Sequence, residues 1–285
     1  MYEISNGIIN VGVNTFGAEL EYVKINNINI LWKKNNLWNA QSPVLFPVIG
    51  ALKDGYYSYE GKRYEMQPHG FVKDMYFEVA HLDKNKIILL KKFNDETLKL
   101  YPYQFELLIT YLIEDNSLKM IFEVKNLGDN ELPFAIGVHP GFSYDGLNAL
   151  FEDEYKLRFT PDKVDEVLFS PSFVVGEIIS EINYKTFNEM SLDLSTKRTI
   201  CLKDIDTLEI QSENKKLIFK NEMSYMAFWQ KNPEYKPEFM CIEAWEGIPD
   251  EDIKNSRELC DKLGNIVLEK NKTFKKTFEI IYEED

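Results

Sequence analysis

Short runs of β-branched and aromatic residues recur along the whole chain, separated by Asn, Asp, Gly and Lys. Each run predicts a strand, and their close spacing is typical of a β-sandwich or a β-barrel. Examples are IINVGVN from Ile8, YFEVAHL from Tyr76, YQFELLITYLI from Tyr103, LKMIFEVKNLGDNEL from Leu118 and TFKKTFEIIYEE from Thr273.

Two local patterns add detail to this all-β prediction. YSYEGKRY predicts a hairpin, because Gly61 separates two aromatic-rich arms. Residues 249–263 are the best helix candidate, with acidic residues early and Lys262 late, as the helix dipole prefers. The chain of 285 residues shows no linker and no repeat, so we expect a single domain, residues 1–285.

The charge balance bears on the kind of partner. Lys plus Arg number 33 against 47 Asp plus Glu, giving a formal charge of −14. Such a chain repels nucleic acid and anionic membranes, so we expect neither as a partner. No apolar stretch approaches the ~20 residues needed to span a bilayer, and the first residues do not resemble a signal peptide. We therefore expect a soluble cytoplasmic protein whose partner is a neutral small molecule or a protein. We also expect a monomer or homodimer.

Chemistry should lie where polar residues interrupt the apolar pattern at turns. His69 lies in QPHGFVKD and His139 ends the apolar run of FAIGVHPGF, where Pro140 and Gly141 stop the strand. Glu243 lies within CIEAWEGIPD, where burial of a charge is costly unless it is paired or needed. Each has a structural alternative: a turn histidine, a hydrogen-bonded core histidine and a carboxylate satisfied by backbone N–H groups or a lysine.

Two imidazoles and one carboxylate make a possible acid–base set. The same residues could bind zinc or iron, but the dense H-E-x-x-H spacing is absent, so we expect no metal. The three cysteines, Cys201, Cys241 and Cys260, form no C-x-x-C pair, and we expect buried reduced thiols.

Four segments, taken in order, resemble the aldose 1-epimerase (galactose mutarotase) family and its LacX-like bacterial branch: SPVLFPVIGALKDGYY, QPHGFVKD, FAIGVHPGF and CIEAWEGIPD. The resemblance implies a large antiparallel β-sandwich of the galactose mutarotase type, with a sugar in a cleft on one curved sheet. It also implies that His139 is the general acid toward the ring oxygen and that Glu243 is the base at the anomeric hydroxyl. His69 would bind near the ring oxygen, and no cofactor would be required.

Two departures from the family pattern concern substrate binding. Ala51 follows Gly50 where the branch usually has an arginine, and Lys73 replaces another arginine, which loses bidentate geometry. Candidate substrate-binding residues are therefore Lys53, Lys73, Asp74, Trp245 and Phe71.

The resulting hypothesis is an isomerase that interconverts the α and β anomers of an aldohexose. Forward ring opening requires His139 to start protonated and Glu243 ionised, which neighbouring negative charge would favour. One alternative is a hexose-6-phosphate 1-epimerase, for which Lys53, Arg63 and Lys73 are the cationic candidates. Another is a sugar-binding or sensing protein that has kept the cleft and lost turnover, an alternative that Ala51 motivates.

Overall fold

A computed structural model describes residues 1–152, 155–160, 163–170, 175–183, 187–188, 199–231, 238–251 and 256–285. The strands of the first half are β1 (Tyr2–Ser5), β2 (Ile9–Val13), β3 (Leu20–Ile25), β4 (Ile28–Asn29), β5 (Val44–Leu45), β6 (Tyr56–Tyr59), β7 (Lys62–Glu65), β8 (Glu78–Leu82), β9 (Lys86–Lys92), β10 (Phe105–Glu114), β11 (Ser117–Asn126), β12 (Leu132–Phe134), β13 (Ile136–Val138) and β14 (Gly141–Ser143). Those of the second half are β15 (Lys156–Thr160), β16 (Lys163–Phe169), β17 (Val175–Asn183), β18 (Phe187–Asn188), β19 (Thr199–Lys203), β20 (Thr207–Gln211), β21 (Lys215–Asn221), β22 (Tyr225–Trp229), β23 (Phe239–Glu246), β24 (Ile266–Leu268) and β25 (Thr273–Glu284).

Helices are short in the described part of the chain. They comprise α1 (Asp95–Leu100), α2 (Tyr144–Phe151) and the 3-10 turns Lys53–Gly55, Val72–Asp74 and Leu259–Asp261. Asn94 caps α1 by accepting hydrogen bonds from the backbone N–H groups of Glu96 and Thr97, and Ser143 caps α2 in a similar way.

The predicted helix over residues 249–263 is wrong where the structure describes that segment, and residues 252–255 lie outside the described residues. Glu251 instead forms a β-bridge with Val175, and only a 3-10 turn follows. The backbone N–H of Asp250 donates to the carbonyl of Ala51, and a side-chain oxygen of Asp250 accepts the N–H of Lys53. The carbonyl of Asp250, which a helix would pair with an N–H four residues later, instead accepts the N–H of Val175 at 2.7 Å.

Two large antiparallel sheets form the sandwich. One has the order β18-β15-β20-β21-β25-β11-β10-β9-β8, and the other has the order β17-β16-β19-β22-β23-β13-β5, with β14 also paired to β23. Smaller sheets are β1-β2-β3-β4, β12-β24 and the β6-β7 hairpin. Aromatic side chains meet between the large sheets: the ring centroids of Phe159 and Phe228 are 5.5 Å apart, and those of Phe142 and Phe219 are 5.1 Å apart. The predicted antiparallel β-sandwich and the hairpin are confirmed.

Strand β23 is buried on both faces, so one set of its side chains faces the main core and the other set faces the opposite side of the sheet. Met240, Ile242 and Ala244 belong to the main hydrophobic core between the sheets. The alternating residues belong to smaller clusters on the other face, where Cys241 packs with Trp32, and Trp245 with Leu45. The two-residue period of a strand therefore places Glu243 on the face away from the main core.

The predicted burial of the cysteines is only partly right. Cys201 and Cys241 are buried and free, whereas Cys260 is exposed on the 3-10 turn Leu259–Asp261. Within the described residues, no helix has the length and apolar character needed to cross a membrane.

Gly70 and Gly61 provide a matched test of packing at one backbone conformation, because both have a φ of +72°. A Cβ at Gly61 would meet nothing within 4 Å, whereas one at Gly70 would overlap the carbonyl oxygen of Phe46. We expect Gly61→Ala to lower the free energy of unfolding by about 1 kcal/mol, the cost of a left-handed residue. Gly70→Ala should cost about 2–5 kcal/mol, because overpacking adds to the same backbone cost. Urea denaturation of both variants measures the difference, and equal losses would contradict the packing account.

Candidate active site

A cavity of about 460 Å³ opens on the face of β23 away from the main core. This volume lies within the range typical of small-ligand pockets. Strands β5, β16, β19, β22 and β23 contribute to it, together with the segment between β4 and β5 and the turns that follow β5, β7, β13, β22 and β23. Its lining comprises Trp38, Ala40, Pro43, Leu45, Gly50, Ala51, Pro68, His69, Lys73, His139, Phe169, Thr199, Trp229, Lys231, Glu243, Trp245 and Pro249.

His139 and Glu243 meet at the wall of this cavity. The backbone of His139 follows β13 directly, and its N–H donates to the carbonyl of Pro43 at 3.0 Å. The next carbonyl, of Pro140, accepts the N–H of Ile242 at 3.1 Å, which places His139 opposite Glu243 on β23. His139 Nε2 lies 3.2 Å from Glu243 Oε2. Two residues more than 100 positions apart are thus in direct polar contact.

The carboxylate of Glu243 is fully buried and only half satisfied. The indole N–H of Trp245 donates to Oε2 at 2.9 Å, which shows that the two side chains share a face as strand alternation predicts. Oε1 has no hydrogen-bond partner among the described residues. An unsatisfied buried polar atom costs roughly 1–3 kcal/mol, so a ligand that donates to Oε1 recovers that loss.

The imidazole of His139 is similarly incomplete. Its Nδ1 is buried without a hydrogen-bond partner among the described residues. The ring lies between two indoles, with centroids 5.4 Å from Trp38 and 5.5 Å from Trp229. His139 and Glu243 therefore contact each other through Nε2 and Oε2, and each keeps a second atom, Nδ1 or Oε1, for a ligand.

Burial controls the charges of this pair. It raises the pKa of Glu243 well above its ordinary value, although the Trp245 hydrogen bond acts in the opposite direction. Burial, and secondarily the nearby His69, lower the pKa of His139 well below its ordinary value. The neighbouring negative charge that would favour a protonated His139 does not set its pKa, because desolvation dominates and favours the neutral form of each group.

His69 approaches the same place from a different loop. Its backbone has a left-handed φ of +66°, and its N–H donates to the carbonyl of Gly50 at 2.9 Å. In return the N–H of Gly50 donates to His69 Nδ1 at 3.2 Å, which assigns the proton of the neutral ring to Nε2. Burial, followed by the charge of Lys73, lowers the pKa of His69 to about 4. The ring centroid lies 5.4 Å from that of His139.

The other predicted binding residues divide into two groups. Trp245 and Lys73 line the cavity, and the ammonium of Lys73 is 2.7 Å from Asp74 Oδ2. Lys53, Asp74 and Phe71 do not line it. Lys53 lies in a 3-10 turn and Asp74 is exposed. Phe71 is buried in the core, where it packs against other aromatic rings.

Sequence reasoning missed several residues that complete the lining. Trp38 stacks on Phe239 with a centroid separation of 5.1 Å and covers one side of His139. Thr199 and Lys231 were also not anticipated. A signal existed only for Trp38, a large aromatic residue in the polar segment KKNNLWNA.

One group of side chains in the described residues has the donors to hold a metal ion. A ligand atom from each of His139, Cys241 and Glu243 lies within 4.8 Å of the other two. Cys241 is the member of this group that sequence reasoning had not associated with the site.

Comparison with known proteins identifies the family. A sequence model of the family described as aldose 1-epimerase matches residues 1–258. The chain belongs to the aldose 1-epimerase family. Protein LacX encoded on a plasmid of Lactococcus lactis subsp. lactis is 26% identical over 265 residues, which cover 86% of this chain and 87% of LacX.

Solved structures of similar proteins support the family fold. The galactose mutarotase related enzyme from Lactobacillus acidophilus superposes with a TM-score of 0.88 at 28% identity, covering 100% of this chain and 99% of that one. A galactose mutarotase-like protein from Lactobacillus casei gives a TM-score of 0.87 at 25% identity, with 99% and 100% of the two chains covered. The galactose mutarotase-like fold predicted from the sequence is confirmed.

The protonation of His69 can be measured without any ligand. Because Gly50 donates to Nδ1 and burial opposes the imidazolium, we expect ¹⁵N NMR to find the neutral Nε2–H form from pH 8 down to about pH 5. A His81→Gln variant removes the signal of an exposed histidine and helps the assignment. A protonated His69 at pH 6 would contradict this account.

Proposed function

We propose that the protein is an aldose 1-epimerase that interconverts the α and β anomers of an aldohexose, with His139 as acid and Glu243 as base. The observation that carries the proposal is the 3.2 Å contact between these two groups at the wall of a ligand-sized cavity. Membership of the aldose 1-epimerase family supports the same reaction. Opening a hemiacetal requires a proton delivered to the ring oxygen and another removed from the anomeric hydroxyl.

The pair has the proton inventory that this reaction needs. The two side chains share one exchangeable proton. When His139 holds it, the pair is an imidazolium and a carboxylate; when Glu243 holds it, the pair is a neutral imidazole and a carboxylic acid. The charged arrangement can begin ring opening, because Glu243 takes the anomeric proton as His139 protonates the ring oxygen. The neutral arrangement then remains, and it can reverse both transfers once the C1–C2 bond has rotated. Burial by itself favours the neutral arrangement, and hydrogen bonds from a bound sugar would stabilise the charged one.

The two atoms without partners are suited to these transfers. Glu243 Oε1 can accept the anomeric proton while Oε2 keeps its hydrogen bond to Trp245. Nδ1 of His139 can donate in the imidazolium form while Nε2 stays beside Glu243. Both residues line the cavity, which brings these atoms close to a sugar bound there.

The surrounding residues supply binding rather than proton transfer. His69 offers a neutral Nε2–H donor next to His139, which suits a sugar oxygen near the ring position. Trp38, Trp229 and Trp245 line the cavity with flat apolar surface for sugar C–H faces. Ala51 lines it without any polar group, so Lys73 and Lys231 are the charged candidates for contacts with hydroxyls.

Phosphorylated sugars receive less support from the same residues. Of the three cations proposed for a phosphate, only Lys73 lines the cavity, and it already contacts Asp74. Arg63 lies on β7 beside Glu65, with its guanidinium over the ring of Tyr56. Lys231 also lines the cavity, so a hexose 6-phosphate belongs in the substrate panel as a direct comparison.

We expect accelerated mutarotation of at least one aldose in a panel measured by polarimetry or NMR. His139→Ala and Glu243→Gln should each lower kcat/KM by roughly 10²–10⁴-fold, the contribution of one general acid or base. His81→Ala is the control, because His81 is exposed and paired with Asp83 outside the cavity.

Two results would overturn this proposal. No acceleration with any aldose, accompanied by saturable sugar binding in calorimetry, would favour the sugar-binding alternative. Unchanged acceleration in His139→Ala would exclude the assigned acid.

Trp245→Phe tests whether the indole N–H positions Glu243. The hydrogen bond favours the ionised carboxylate, so its loss raises the pKa of Glu243. The acidic limb of the kcat/KM profile should therefore move to higher pH, and kcat at neutral pH should fall about tenfold or more. Trp229→Phe is the matched control, since that indole lines the cavity without a hydrogen bond to Glu243. An identical pH profile in the wild type and Trp245→Phe would rule out the positioning role.

A further inference from the structure

Cys241 is a buried thiol for which the proposed proton transfers have no use. It lies on β23 two residues before Glu243, and strand alternation places both side chains on the same face. Its neighbours across the sheet are Gly141 on β14 and Trp229 on β22. The thiol is thus next to the acid–base pair without belonging to it.

The three donors beside one another are chemically matched to a particular class of metal. Thiolate, imidazole and carboxylate are all ligands of Zn²⁺, and thiolate in particular discriminates against Mg²⁺ and Ca²⁺. The donor atoms of His139, Cys241 and Glu243 lie within 4.8 Å of one another. Bonds of about 2.0–2.3 Å to a tetrahedral Zn²⁺ would place donors roughly 3.5 Å apart, so closure requires movements on the order of 1 Å.

A second and independent observation points to a ligand at this position. His139 is 8% exposed and Glu243 is 0% exposed, yet Nδ1 of the former and Oε1 of the latter lack partners among the described residues. Buried polar atoms in proteins are generally hydrogen-bonded or coordinate metals. The group therefore combines a metal-type donor set with unused coordinating atoms.

We propose that His139, Cys241 and Glu243 form an inhibitory site for a thiophilic divalent cation, Zn²⁺ above all. Three protein ligands leave a fourth position that opens to the cavity and can hold water. Binding releases the thiol proton and any proton carried by the carboxyl–imidazole pair, because the metal takes the lone pairs that held them. The metal engages the imidazole and the carboxylate that serve proton transfer, so the metal and a reacting sugar exclude each other. Only the inhibition itself rests on the proposed function.

The binding experiment uses Zn²⁺ alone, titrated into the full chain in competition with a chromogenic chelator. All proteins carry Cys260→Ser, which removes an exposed thiol that would bind Zn²⁺ elsewhere. We expect one Zn²⁺ per chain, and Cys241→Ser should weaken binding by about tenfold or more through loss of the thiolate. Cys201→Ser is the matched control, because it removes another buried thiol of the same sheet that is not in the donor group.

A spectroscopic test identifies the donor atom and covers the case in which a serine variant folds poorly. Cd²⁺ bound by Cys241 gives an ultraviolet sulfur-to-metal charge-transfer band, expected in the Cys201→Ser protein and absent in Cys241→Ala. Equal Zn²⁺ affinity in the Cys241 and Cys201 variants, or the same Cd²⁺ band in both, would overturn the site.

The activity arm separates the metal site from the enzyme assignment. Zn²⁺ should slow mutarotation in competition with the sugar, and a chelator should restore the rate. The Zn²⁺ concentration that halves the rate should be about tenfold higher for Cys241→Ser, measured against the uninhibited rate of that variant. Cys241-dependent Zn²⁺ binding to a protein without mutarotase activity would uphold the site and overturn the function. Mutarotase activity with inhibition that is indifferent to Cys241 would uphold the function and overturn the site.

Discussion

Burial of the Glu243 carboxylate at the centre of β23 is the constraint around which the candidate active site is arranged. A carboxylate away from water is costly unless other groups take over its solvation. Trp245 donates to Oε2 and His139 lies beside the same oxygen, while Oε1 is left without a partner among the described residues. Burial raises the pKa of Glu243, and Oε1 can accept one more hydrogen bond. Both properties suit a base that exchanges protons with a sugar hydroxyl.

The acid–base pair and His69 are held by backbone interactions from parts of the chain that do no chemistry. Pro43 accepts the N–H of His139, and Gly50 both donates to and accepts from His69. The residue just before β5 thereby fixes the direction of one histidine, and the loop after β5 fixes the protonated nitrogen of the other. Sheet pairing fixes the backbone of Glu243, which lies within a long central strand, and the indole of Trp245 holds its carboxyl group. Precision in the site thus depends on a loop and a sheet that must form together.

Much of this arrangement was predictable from the sequence, and the failures have physical reasons. Alternation within CIEAWEG placed Glu243 and Trp245 on one face, because the period of a strand leaves no other choice. Phe71 could not be recognised as a core residue, since its direction depends on the left-handed turn at His69 just before it. The helix expected over residues 249–263 failed because long-range hydrogen bonds to Asp250, invisible to local periodicity, determine the backbone there.

Ala51 has a backbone held by a hydrogen bond and a side chain that lines the cavity. Its carbonyl accepts the N–H of Asp250 at 3.0 Å, while the residue itself lines the cavity beside Gly50. That hydrogen bond uses only the backbone, so it does not depend on the identity of the side chain. Position 51 is therefore a point at which the surface of the cavity can change while the loop keeps its hydrogen bond to the segment that follows β23.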